Sequence, residues 1–329
     1  MKLATIELIK DVRKHPNADS LDIVRVLGYE CIVKLGQYKT GDKIVFIQPD
    51  SVLPDKPWAA FYKAKSNRVK AIKLRQAWSE GVVESLENTG LSESLEAGTD
   101  VTDALGVIKY EAPQPQDLSA KGGLPFGICM TDEERINNLR DDEIPWGSTV
   151  DVTQKIDGQS ASYLYKLGEG GAEGQFCILG RTMEYWADAE NNYSRNAATH
   201  DIKNKLSRFC MDNKISLAVR GESHGGGIQK CGHNYHSRLP LQIAFFSTWL
   251  VDERRYACKG HPLYIFDLAP KLGIPTVPLL EKDVVLTPEL VKKYMEDLKE
   301  VNGQPFEGVV IQHEKGSFKV LNKDYDSRK

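Results

Sequence analysis

The sequence predicts an α+β chain in two parts, a small β-barrel or sandwich followed by a larger unit of strands with a few helices. Three observations support this. Up to residue 110 the apolar runs are short and rich in β-branched residues, as at 21–27, 31–35 and 44–47, and Gly28 and Thr40-Gly41-Asp42 separate them. Runs of that length between turn residues read as strands. Segment 111–125 mixes Pro, Gln, Gly and Ser without periodicity, the signature of a linker. Beyond it, 149–154, 160–167, 176–179, 217–220 and 241–250 read as extended, and 200–210 as helical. Thr131-Asp-Glu-Glu134 is a capping box expected to open a short helix through 139. Thr287, with Pro288 at the first turn, opens another, in which Leu290, Tyr294, Leu298 and Val301 recur and which Gly303 should end. Two last strands are read at 306–311 and around Phe318-Lys319-Val320, on either side of a turn at Lys315-Gly316.

Composition narrows the function classes. A chain of 329 residues divides more naturally into two domains than one. Its net charge of −3 argues against indiscriminate polyanion binding, while leaving room for local basic surfaces. Six scattered cysteines read as reduced thiols, and no apolar run suits a signal peptide or a bilayer span, so an intracellular place, cytoplasmic or nuclear, is expected. No Gly-Lys-Ser/Thr phosphate loop is present. One basic run stands out: Lys63, Lys65, Arg68, Lys70, Lys73 and Arg75, interleaved with Val69, Ile72 and Leu74. It suits an edge strand guarded by its charges, and equally a surface that follows nucleic-acid phosphates.

The chemistry concentrates in the second part. Lys155-Ile-Asp-Gly158 puts a lysine at the end of a strand with glycine turning behind it. A lysine attacks an activated phosphate only when neutral, so such a site has to lower its ordinary pKa. Glu222 follows Arg-Gly, Glu307 precedes Gly-Val-Val-Ile, and Lys319 lies in a further apolar strand. A nucleophile, carboxylates for a divalent metal and cations for a transferred group are what phosphoryl transfer needs. Cys231-Gly-His233-Asn-Tyr-His236, with Cys210 or Cys258, invites a zinc reading but lacks paired cysteine spacing.

In this order the motifs resemble the lysine-adenylating nucleotidyltransferases, which include RNA ligases, DNA ligases and mRNA capping enzymes. More narrowly, the chain resembles ATP-dependent RNA ligases of the Deinococcus and Naegleria type over nearly its whole length. His15-Pro-Asn-Ala-Asp-Ser-Leu21, Gly41-Asp-Lys and the segment from Pro49 to Pro54 also resemble a tRNA-binding OB module. The resemblance implies an OB-type β-barrel over 1–112 that binds nucleic acid, a linker over 113–126, and an antiparallel-sheet, ATP-grasp-like ligase domain over 127–329. It implies that Lys155 takes AMP from ATP, Arg181 contacts the nucleotide or the lysine's surroundings, and Glu222 holds the ribose hydroxyls. Phe245 or Phe246 would stack on adenine, Glu307 would bind Mg2+ or Mn2+, and Lys319 would touch the α-phosphate. The partner implied is RNA, or an RNA-containing duplex with a nick. Oligomeric state stays open.

The chain departs from the related phage-type pattern at three points. Gln154 precedes the nucleophile where Glu is frequent, Met130 precedes Thr-Asp-Glu-Glu-Arg135 where Lys is frequent, and Leu321 stands where a second lysine often follows Lys319, with Lys323 beyond it. Two other readings compete. One is a DNA ligase or GTP-using capping-type enzyme, and the other an RNA-binding protein with a degenerate, inactive ligase domain.

Overall fold

The computed structural model describes residues 2–64, 66–110, 119–130, 133–168 and 174–326, without the side chains of Lys73 and Asp326. The chain divides into two compact units, one of residues 1–115 with 136–144, the other of 116–135 with 145–329. None of the described helices is long and apolar enough to cross a membrane.

In the first unit Leu21–Val26 pairs with Asp11–Lys14 and Tyr29–Lys34, while Lys43–Ile47 pairs with Ala4–Leu8 and Val82–Glu84. Alternating side chains of these strands fill two apolar clusters. Ile6, Val45, Ile47 and Val82 belong to one, and Val24, Val26, Tyr29 and Phe46 to the other. The expected OB-type barrel is not what forms: among the described residues no sheet closes on itself. The physical reason is visible where Tyr29–Lys34 approaches Ala77–Glu80. Ile32 N donates to the Ser79 hydroxyl (3.0 Å) and the Cys31 thiol donates to Glu80 O (3.3 Å). Side chains stand there in place of the backbone ladder that closure requires.

The basic run is no continuous strand. Lys63 ends the short helix Ala60–Lys63 and pairs with Asp55, and Arg68 pairs with Asp50 while lying over the Tyr110 ring. Lys70 is exposed, Lys73 lies in Ala71–Leu74, and Lys65 is outside the described residues. Exposed Arg75 turns the hairpin from Ala71–Leu74 to Ala77–Glu80, and its carbonyl accepts from Asn17.

The second unit is built on two sheets. The first is antiparallel throughout, in the order Ala120–Gly123, Met183–Tyr185, Gln175–Leu179, Gln159–Lys166, Leu217–His224, Gln242–Leu250 and Arg255–Tyr256. The second runs Glu134–Arg135, Gly316–Leu321, Gly308–His313, Thr149–Lys155 and Leu279–Val285, and its first pair is parallel. Side chains of Asn192–Thr199, Ile202–Asn213 and Ile265–Leu272 join one face of the seven-stranded sheet in a core with Tyr163, Val219 and Phe245. On the other face Leu164, Leu179, Ala218 and Trp249 pack under Leu124 and Ile128.

Several local expectations are revised. Of the stretch read as a linker, 111–118 lie outside the described residues, and Ala120–Gly123 is a strand. Thr131 is likewise undescribed. Glu134–Arg135 extends a sheet and Ile136–Asn138 makes a single 3-10 turn, so the expected helix is absent there. Thr287 does cap a helix, accepting from Leu290 N at 3.2 Å. That helix, Pro288–Lys292, widens into a π turn over Lys293–Asp297 and stops at Leu298. Asn302 and Gly303, both at positive φ, then turn a hairpin between Glu300–Val301 and Gln304–Pro305. Asn-Gly favours that turn, because both central residues tolerate the left-handed region.

Candidate active site

Lys155 is the last residue of Thr149–Lys155, and Gly308 and Leu321 share its rung of the five-stranded sheet. Two residues back, Thr153, Val310 and Lys319 form another rung. Residues on one rung share a face, and so do residues two apart along a strand. Pairing therefore brings Lys319, 164 positions on in sequence, to the face that carries Lys155. Glu307, just before the Gly308 strand, accepts from Lys155 Nζ at 2.7 Å.

Two glycines make this closeness possible. A Cβ on Gly158 would collide with the Ser223 carbonyl, and one on Gly308 with the Val320 carbonyl; Gly308 is also at φ +154°. With no Cβ, the Gly158 amide comes within 3.1 Å of Glu222 Oε1 and donates to it. Glu222 lies in Leu217–His224, paired with Ser160 and Ala244. The turn behind the lysine thus joins the two sheets through the acid's side chain.

The electrostatics of the cluster are uneven. Burial works against the Lys155 charge, but Glu307 and Glu222, with Glu133 behind them, outweigh it and hold the ammonium above the ordinary lysine range. Burial pushes the Glu222 carboxyl up to about 8; Lys155 opposes this, while Glu307, Glu133 and Asp157 add to it. His236 is pushed down to about 4 by burial and by His224, against the pull of Asp157 and Glu307. Without a ligand, then, the lysine is charged, which is the reverse of the state a nucleophile needs.

The remaining candidates separate. Phe245 is fully buried in the helix-covered core, edge-on to Tyr163 at 6.0 Å. Phe246 is half-buried on the other side, against Ile156, Ala244 and Val277. A bulge between Arg220 and Gly221 leaves Phe246 without a rung partner. Arg181 is exposed in the turn from Gln175–Leu179 to Met183–Tyr185. Leu179 shares a rung with Ser162 and Arg220, so the register carries Arg181 to the Ser160 and Glu222 end of the sheet. Lys323 pairs with Glu296 on the surface at 2.7 Å. Cys231 Sγ lies 3.5 Å from His233 Nε2, but no group of three or more metal-ligating side chains forms among the described residues.

Sequence reading missed several groups at this site. Asn234, fully buried, donates to the Asp157 carbonyl at 3.0 Å. The Tyr325 hydroxyl donates to Asp157 Oδ2 at 2.9 Å. Glu133 acts on Lys155 through its charge. Arg220 is buried beneath Cys129, donates to the Cys129 carbonyl and the Tyr256 hydroxyl, and leaves its Nε without a hydrogen-bond partner. Each is a single polar residue in an unremarkable context. Signals lay only in the Asp of the Lys-X-Asp-Gly pattern, in the Thr-Asp-Glu-Glu segment that holds Glu133, and in the Arg-Gly that precedes Glu222.

Comparison with known proteins adds independent information. A model of the RNA ligase family matches residues 148–327, and one of an OB-fold domain matches residues 3–86. No curated protein matches the sequence. Among solved structures, the chain is similar to Naegleria gruberi RNA ligase with pyrophosphate, at 25% identity and a TM-score of 0.81, covering 99% of this chain and 98% of that one. Mutants of that ligase with one lysine replaced match equally well. One, lysine to alanine, was solved with ATP and manganese, and another, lysine to methionine, with AMP and manganese; each is 25% identical, has a TM-score of 0.82 and covers 100% of this chain and 99% of its own.

Proposed function

This chain belongs to the RNA ligase family and is an ATP-dependent RNA ligase, and we propose that it works through a lysyl-AMP formed on Lys155. In the first step Lys155 Nζ attacks the α-phosphorus of ATP. The N–P bond forms as the bond to the bridging oxygen breaks, pyrophosphate leaves and the lysine gives up a proton. In the second step a 5′-phosphate oxygen of one RNA end attacks the same phosphorus and the N–P bond breaks. In the third step the 3′-hydroxyl of the other end attacks the 5′-phosphate and AMP departs. We assign the break to a nick in a duplex, with RNA on the 3′-hydroxyl side.

The residues divide the work. Glu222 holds the ribose hydroxyls, Phe246 stacks on adenine from beside Ile156, and Arg181 contacts the nucleotide. Phe245, sealed in the core, supports the strand from behind. Lys319 shares the Lys155 face and meets the charge on the α-phosphate. The basic residues of the first unit, Lys63, Lys65, Arg68, Lys70, Lys73 and Arg75, are the candidates for phosphates of the RNA.

The donor set fits a divalent cation of the Mg2+ or Mn2+ kind. Such ions are held by one or two carboxylates, with waters and substrate phosphates completing the shell, and Glu307 beside Lys155 offers that much. When bound there, the cation supplies positive charge that competes with Lys155 for Glu307 and favours the neutral amine.

The Lys155–Glu307 pair, in a cluster that forces Glu222 toward its neutral form, is the observation that carries the assignment. The test is incubation with α-labelled ATP and magnesium. Wild type should take up label on Lys155 and Lys155→Ala none; equal labelling of the two would refute the assignment. GTP in place of ATP should give no label, which separates this reading from a capping-type enzyme. Nicked duplexes of each strand composition then check the substrate.

A further inference from the structure

The turn that follows Lys155 is held by a residue 168 positions away in sequence. Asn322 is almost fully buried, and its side chain organises the short segment behind it. Its Nδ2 donates to Tyr294 O and Leu298 O, carbonyls at the π turn, and its Oδ1 accepts from Asp324 N and Tyr325 N. Its own amide donates to Glu307 O at 2.9 Å. Lys323–Asp326 forms one helical turn there and sends Tyr325, 3% exposed, to Asp157 Oδ2. The His233 ring stands edge-on to Tyr325 at 4.5 Å and limits its swing. From the other side Asn234 grips the Asp157 carbonyl.

Resting on the Lys155 assignment, we propose that Tyr325 is a positioning residue for the adenylylation step: its hydroxyl fixes the Asp157 carboxylate and, through it, the backbone turn that aims Lys155. Three geometric facts support this. The hydroxyl's acceptor belongs to the Lys155-Ile-Asp-Gly turn itself. The segment that carries Tyr325 is also tied to the backbone of Glu307, the acid that holds the lysine. The turn is also gripped from its other side, where Asn234 donates to the Asp157 carbonyl at 3.0 Å. One segment thus sets the nucleophile's turn and its counter-charge together. In-line attack depends on such alignment, because a displacement of about 1 Å can cost on the order of a hundredfold in rate.

The experiment compares single-turnover labelling of Lys155 by α-labelled ATP in wild type, Tyr325→Phe, Asp157→Ala and the double variant. Tyr325→Phe keeps the ring, its burial and the contact with His233, and removes only the donor. It should slow the labelling rate about tenfold at saturating ATP, with the half-saturating ATP concentration and the thermal midpoint close to wild type. Asp157→Ala should lose at least as much, and adding Tyr325→Phe to it should cost nothing further. Labelling of Tyr325→Phe at the wild-type rate would overturn the proposal. So would a smaller loss in Asp157→Ala than in Tyr325→Phe, or independent, additive losses. Absence of label on wild type, by contrast, would strike at the Lys155 assignment itself.

Discussion

Two lysine–carboxylate clusters meet the strand Thr149–Lys155, one near each end. Near its start Asp151, 1% exposed, accepts from Lys259 Nζ at 2.6 Å, from the Tyr264 hydroxyl at 3.2 Å and from Asp283 N at 2.9 Å. Lys259 also reaches Asp283 at 2.5 Å, and Asp283 is largely exposed. At its end Lys155 faces Glu307, Glu222 and Glu133. The ingredients are alike but the balance differs. The first cluster shares its second charge with solvent and surrounds the buried one with donors. The second gathers three carboxyl groups around Lys155, and burial first, with the neighbouring acids adding to it, holds the Glu222 proton up to about 8. A self-satisfied cluster ties a fold together. One left with surplus charge is prepared for cations that arrive with a ligand.

The contrast breaks most sharply on activity. Lys155→Ala should abolish lysine labelling, a loss of at least about a thousandfold, because the attacking amine itself is removed. Lys259→Met should leave labelling per folded molecule within about twofold. If both variants lost activity alike, the distinction between the clusters would fail.

Stability should run the other way. Lys259→Met leaves Asp151 buried with two donors but no counter-charge, which should cost about 3–5 kcal/mol in a denaturant titration. Lys155→Met relieves the burial of an ammonium yet leaves Glu307 without its partner, and the balance should keep its thermal midpoint within about 2–4 °C of wild type.

A finer test uses pH. The folded-state value of Glu222 lies above its ordinary 4.5, so between pH 4.5 and 8 the folded protein keeps a proton that the unfolded chain has released. This group's contribution to stability is therefore fully present below pH 4.5 and is lost as pH rises through 8. Glu222→Gln should flatten that part of the profile, raising the thermal midpoint more at pH 8 than at pH 5. An unchanged slope would show that burial of the Glu222 carboxyl does not set this part of the profile.

A last contrast, smallest in its effect on activity, concerns neighbours on one strand. Phe246→Ala should raise the half-saturating ATP concentration several-fold with modest loss of stability, since that side chain is only half-buried. Phe245→Ala should act through the fold instead, at about 3–5 kcal/mol. Thermal unfolding beside ATP titration separates the two.

What the sequence made legible follows from range. Val150 and Val152, both fully buried, mark the nucleophile's strand by alternation, and glycine marks its turn. Glu222, Glu307 and Lys319 were each visible as a charge at an apolar strand, and family resemblance ordered them. Asn234, Asn322 and Tyr325 left no such trace, because their contacts to 157 and 307 arise only from tertiary packing. The helix read through 301 went astray for a local reason: apolar residues at intervals of four and then three continue past the π turn and outweighed the Asn302-Gly303 hairpin signal. The barrel stays open between separate sheets, and at one of those seams a serine hydroxyl and a cysteine thiol occupy the place of ladder bonds.

The sheet order also bears on how the protein is made. The strand that ends in Lys155 lies between Leu279–Val285 and Gly308–His313, both translated more than a hundred residues after it. At roughly 5–20 residues per second, the nucleophile's strand waits about six to twenty-six seconds before the first of its partner strands is made. Catalytic competence therefore appears late in synthesis, and in the interval that strand carries two open edges.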